Sequence, residues 1–146
     1  MRKSERAKEL FLSGYNCSQA VFAAFSDEFS IDEKQAFIMA SGFGGGMGRL
    51  REVCGAFSGI VMVLSLKYGD YEVSDHAKKA ELYARIQELA AAYERENGSV
   101  ICKELLGQGK NGSVPEARTQ QYYKKRPCAE LVESAARLLE EYLASH

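Results

Sequence analysis

Four cysteines, Cys17, Cys54, Cys102 and Cys128, are the residues of this 146-residue sequence best suited to redox or metal chemistry. They are widely spaced and include no C-x-x-C pair, so zinc-finger, zinc-ribbon and thioredoxin spacings are absent. The covalent haem motif C-x-x-C-H is missing as well. A reducing cytosol does not sustain structural disulfides, and a chain of this length can bury enough surface to fold without them. The thiols are therefore available to bind a metal, to exchange disulfides or to pack as inert core groups.

The stretch "GFGGGMGRLREVCGAFSG", residues 42–59, sets seven glycines around Cys54. It lacks the G-x-x-x-x-G-K-[ST] pattern of a phosphate loop, and no strand precedes it. The G-x-G-x-x-G at Gly107, Gly109 and Gly112 follows a helical stretch, not a strand, and reads as a plain loop. Gly55 and Gly59 form G-x-x-x-G, which lets another backbone come close to Cys54. Gly45, Gly46 and Gly55 are thus the expected cofactor-framing positions, with Arg49 and Arg51 as nearby charges or solvated residues.

The elements that must position the cysteines are helical. Segments are expected over 4–13, over "NCSQAVFAAFSDEF" with Asn16 as cap, and over "DEKQAFIMAS" opened by Asp32. A buried central helix follows over 51–67, and the longest spans 74–97 with Gly98 after its end. That helix shows an amphipathic stripe at Leu82, Ile86, Leu89 and Tyr93. Ser99 caps "VICKELLG", the loop "GQGKNGSV" leads through Pro115 to a helix ending near Tyr123, and a last helix starts at Pro127. Period-2 alternation is absent, so the expected fold is all-α: one domain, residues 1–146, of six to eight helices with a central buried helix after a Gly-rich loop. Each cysteine falls on an apolar face and near a helix start. There the helix dipole favours thiolate and can lower a cysteine pKa.

Composition narrows the partners. A net charge of −1 and a pI near 6.2 give no case for nucleic acid or an anionic membrane. The most apolar run, residues 53–66, is shorter than the ~20 residues of a spanning helix, so no membrane insertion is expected. No targeting segment is recognisable, which points to the cytoplasm and makes chance matches of the N-x-S sites at Asn16, Asn97 and Asn111. His76 reads as a solvated helix residue and His146 as terminal. "YYKKR" at 122–126 reads as surface or partner contact.

"GFGGGMGRLREVCGAFSGIVMVLSLKYG", "GYNCSQAV" and two later single cysteines together resemble the redox-active C_GCAxxG_C_C family, from about Gly14 to Cys128. The element reads Cys54-Gly55-Ala56-Phe57-Ser58-Gly59, and all four cysteines match the family pattern in order. The resemblance implies a mainly helical fold and a redox role. It also implies an iron–sulfur possibility, because a related domain in split-Soret cytochromes is linked to such a centre. Four converging thiolates would hold a [2Fe–2S] centre or zinc, with no haem and no nucleotide. The alternatives are metal-free thiol–disulfide chemistry by Cys54 with a partner cysteine, and a non-catalytic helical binding module. The sequence leaves enzyme status and the redox partner open, with room for a homodimer.

Overall fold

The structure, a computed structural model, describes residues 1–107, 118 and 127–146. The expected loop and helix between Gly107 and Pro127 lie outside the described residues, as do Gly109, Gly112, Asn111 and the 122–126 stretch. Only Arg118 is described there. Seven α-helices and no strands occur among the described residues. They are α1 (Lys3–Leu12), α2 (Cys17–Ala24), α3 (Glu33–Ala40), α4 (Gly55–Tyr68), α5 (His76–Asn97), α6 (Cys102–Leu106) and α7 (Cys128–Ser145). Short 3₁₀ turns at Ser26–Phe29 and Ser41–Phe43 flank α3. The all-α expectation holds.

Helices α2, α4 and α7 pack on one another, with α1 against α2 and α7, α3 against α2, and α5 against α4 and α7. α4 is buried along most of its length, through Ala56, Phe57, Ile60, Val63 and Leu64. Burying each of the large side chains is worth about 1.5–3 kcal/mol over exposure. α2 and α4 meet along the G-x-x-x-G face: a Cβ at Gly59 would stand 2.7 Å from the Val21 Cβ. Leu82, Leu89 and Tyr93 turn the stripe of α5 into the core. Gly98, at φ 101°, ends α5 in the left-handed conformation that glycine adopts without steric cost. No helix among the described residues is long and apolar enough to cross a membrane.

Among the described residues, the α-helix expected over "NCSQAVFAAFSDEF" ends at Ala24, its tail forming the 3₁₀ turn Ser26–Phe29, and the start of α4 shifts as well. α4 starts at Gly55, not near Arg51, because the chain before it coils the wrong way for a helix. Gly45, Gly46, Met47, Gly48, Arg49 and Arg51 all have φ between 57° and 73°. Three of these are not glycine, and each such residue costs about 1–2 kcal/mol. The loop closes on itself through Gly48 N–H to Gly42 C=O (2.8 Å) and Glu52 N–H to Gly46 C=O (2.9 Å).

Candidate functional site: four thiols around one cavity

Each cysteine sits at a helix start. Cys17, Cys102 and Cys128 are the first residues of α2, α6 and α7, and Cys54 is the N-cap residue of α4. A helix over 51–67 would put Cys54 about one turn in, and the left-handed loop accounts for the shift. Asn16 fixes Cys17 through a complete capping box: its side chain accepts from Gln19 N–H, and the Gln19 side chain accepts from Asn16 N–H. Asn16 Nδ2 also donates to the Ser41 carbonyl at 3.0 Å, and buried Ser18 donates to the Ala40 carbonyl at 2.8 Å. The start of α2 is thereby pinned to the start of the glycine loop.

A single antiparallel bridge, Val53 to Ile101, places the second pair. Cys54 N–H donates to Val100 C=O at 2.7 Å and Cys102 N–H to Glu52 C=O at 2.6 Å. Successive residues of an extended segment face opposite sides, so Cys54 and Cys102 lie on one face of this bridge. Ser99, expected as the cap of α6, instead accepts from Ile101 N–H and donates to Glu104, and Ile101 takes the cap position.

All four cysteines line one cavity of about 280 Å³, together with Gly45, Gly46 and Gly55. Space at two of these glycines is tight, most of all at Gly46. A Cβ at Gly46 would lie 2.7 Å from the Cys102 Cβ, and one at Gly55 would lie 3.2 Å from the Cys17 Cβ. Arg49, Arg51 and Arg118 also line the cavity, and no carboxylate does among the described lining residues. Arg51 is buried, not solvated, and its guanidinium donates to Cys102 Sγ at 3.7 Å. Arg118 donates to the Phe11 and Tyr15 carbonyls and stacks over the Phe11 ring.

No disulfide joins the four cysteines, and Cys17 touches Cys128. Cys17 shares a hydrogen bond with Cys128; this contact, burial and the charge of the neighbouring sulfurs push the Cys17 thiol well above its ordinary range. Burial likewise pushes Cys54 up, against the opposing pull of the Tyr93 hydroxyl and the Phe57 and Ala56 N–H groups. Those two amides favour the thiolate without closing a cap hydrogen bond. The expected lowering by helix N-termini is therefore overturned for Cys17 and Cys54: desolvation and sulfur–sulfur repulsion outweigh the dipole. Tyr93 is fully buried, with its hydroxyl 3.2 Å from Cys54 Sγ and its ring 5.9 Å from that of Phe57. Burial and the Cys54 sulfur raise its pKa far above the usual phenol value.

Sequence reasoning missed Tyr93 as a sulfur partner because its place on the α5 stripe accounts for it as core. Among the described residues, no three His, Cys, Asp or Glu side chains gather where one ion would sit. His76 is exposed at the start of α5 and is not among the residues that line the cavity.

No curated protein and no solved structure gives a significant match to this chain. The family model described as "putative redox-active protein (C_GCAxxG_C_C)" matches residues 15–142, a span that includes all four cysteines. With most of its length covered, this chain belongs to the C_GCAxxG_C_C family.

Proposed function

We propose that this chain is a one-electron redox protein whose four cysteines hold a [2Fe–2S] centre. The observation that carries the reading is the pairwise arrangement of four thiols around one cavity, with Cys17 against Cys128 and Cys54 beside Cys102 on the Val53–Ile101 bridge. Each iron of a [2Fe–2S] centre takes two thiolates, the rest of its shell being bridging sulfide, so its protein ligands are needed in pairs. Structural zinc would instead need all four thiolates on one point.

When bound, such a centre supplies one-electron transfer. The protein's own residues hold and shield it. Cys17, Cys54, Cys102 and Cys128 would be its ligands, while Gly46 and Gly55 leave the room that a Cβ would fill. Arg49, Arg51 and Arg118 line the cavity with positive charge, which offsets the negative charge of four thiolates. Phe11, Leu105, Leu106 and Leu131 form its apolar wall and limit access of water. A redox partner would deliver or collect the electron.

A second reading is favoured by the Cys17–Cys128 contact: these two thiols are placed to close a disulfide without metal. It stands beside the other metal-free pairing, Cys54 with a partner cysteine. Single Cys→Ser variants separate the readings. For the cluster, all four lose iron and visible absorbance. For the disulfide, serine at Cys17 or Cys128 abolishes reversible thiol oxidation, and serine at Cys54 or Cys102 leaves it in place.

A further inference from the structure

Two donors reach the sulfurs of this site from outside the cysteine set. The Tyr93 hydroxyl lies 3.2 Å from Cys54 Sγ, and Arg51 Nη1 donates to Cys102 Sγ at 3.7 Å. Both donors are built in. Tyr93 is 0% exposed on α5, and Asn97 Nδ2 donates to its carbonyl, tying it to the end of that helix. Arg51 is 6% exposed, and its backbone is held by its N–H to Gly45 C=O and by Lys103 N–H to its own carbonyl, both at 3.2 Å. The second of these bonds joins Arg51 to the residue after Cys102.

A cysteine sulfur that has given up its proton, to ionisation or to a metal, has nothing to donate. In that state the Tyr93 hydroxyl must be the donor to Cys54. Hydrogen bonds to ligand sulfurs draw off negative charge and stabilise the more electron-rich state of the site, which moves its potential upward.

We propose that Tyr93 and Arg51 are positioning residues that raise the reduction potential of the site through hydrogen bonds to Cys54 and Cys102. The inference rests on the cluster reading for its primary test. Tyr93→Phe removes one donor and little else, Arg51→Gln removes the charge, and Arg51→Lys keeps it.

The experiment is a potentiometric titration of the iron-loaded protein, followed by its visible spectrum, with iron and sulfide measured on every variant. The expected result for Tyr93→Phe is unchanged loading, and for Tyr93→Phe and the loaded fraction of Arg51→Gln alike a roughly tenfold shift of the equilibrium towards the oxidised form. That corresponds to a potential about 59 mV lower for a one-electron couple. Arg51→Lys stays within about twofold of wild type. Potentials of the loaded fraction unchanged from wild type overturn the proposal. If Tyr93→Phe fails to fold, the Arg51 pair decides alone.

If the wild type takes up no iron, the cluster reading falls, and the hydrogen bond is read on Cys54 itself. Its labelling by the neutral disulfide 4,4′-dithiodipyridine, resolved by peptide mass spectrometry, is then compared between wild type and Tyr93→Phe. Losing the donor costs thiolate but gains intrinsic nucleophilicity, so a tenfold drop in thiolate slows attack about threefold. Equal rates overturn the proposal.

Discussion

The Gly46 backbone lies so close to Cys102 that a Cβ built on it would stand 2.7 Å from both the Cys102 Cβ and the Arg51 Cα. Gly46 also has φ 73°, so any side chain there meets backbone strain as well as a clash. Gly46→Ala is expected to destabilise the fold by about 2–4 kcal/mol in urea unfolding. Gly48→Ala isolates the strain. Its φ is 57°, but nothing lies within 4 Å of its Cβ position, and the expected loss is about 1 kcal/mol. Equal losses at the two positions would mean that close packing against Cys102 contributes nothing.

The left-handed loop makes a less usual prediction. Met47, at φ 69° and 46% exposed, pays for its backbone conformation and buries little in return. Met47→Gly should stabilise the protein by about 0.5–1 kcal/mol, the strain relieved exceeding the extra chain entropy of glycine. A lower urea midpoint for this variant would contradict the loop geometry.

Asn16 caps α2 and holds the Ser41 carbonyl, one residue before the first thiol. Asn16→Ala should cost about 1 kcal/mol, a fall of about 2–4 °C in thermal midpoint for a chain of this size. It should also lower cofactor occupancy, because Cys17 loses its anchor. Full occupancy at the reduced midpoint would show that Cys17 is positioned from elsewhere.

The metal-free chain should lose stability in alkali. Folding raises the Cys17 and Cys54 pKa values above those of the unfolded chain, through the Cys128 hydrogen bond and burial at Cys17 and through burial at Cys54. The folded state therefore holds protons that the unfolded state releases above about pH 8.5. The stability contributed is complete below that pH and declines as the pH rises towards the folded values. Urea midpoints from pH 7 to 10 should fall in wild type and fall less in Cys17→Ser. Parallel curves would remove the thiols as the cause.

Much of this was legible in the residues themselves. Asn16 with Gln19 three places on announces a capped helix, and Gly98 announces the end of α5. Cys17 after Asn16 and Cys128 after Pro127 followed from cap signals of this kind, whereas Cys102 follows Ile101 and not the expected cap Ser99. The start of α4 did not, because nothing in the types of Met47, Arg49 or Arg51 reveals a positive φ that only the closed loop enforces. The Val53–Ile101 bridge is one residue pair and leaves no alternation to detect. Thiol electrostatics were misjudged for a related reason: the dipole at a helix start is visible in sequence, but the depth of burial that outweighs it at Cys54 is set by tertiary packing.

The central claim is that the four thiols form one two-iron site, and stoichiometry tests it most directly. Protein purified without oxygen, or reconstituted with ferrous iron and sulfide, is assayed for iron, acid-labile sulfide and zinc per chain. The account predicts about two irons and two sulfides with little zinc, giving a coloured protein that bleaches on one-electron reduction. A colourless chain with one zinc, or with no metal and a Cys17–Cys128 disulfide formed on mild oxidation, would contradict it.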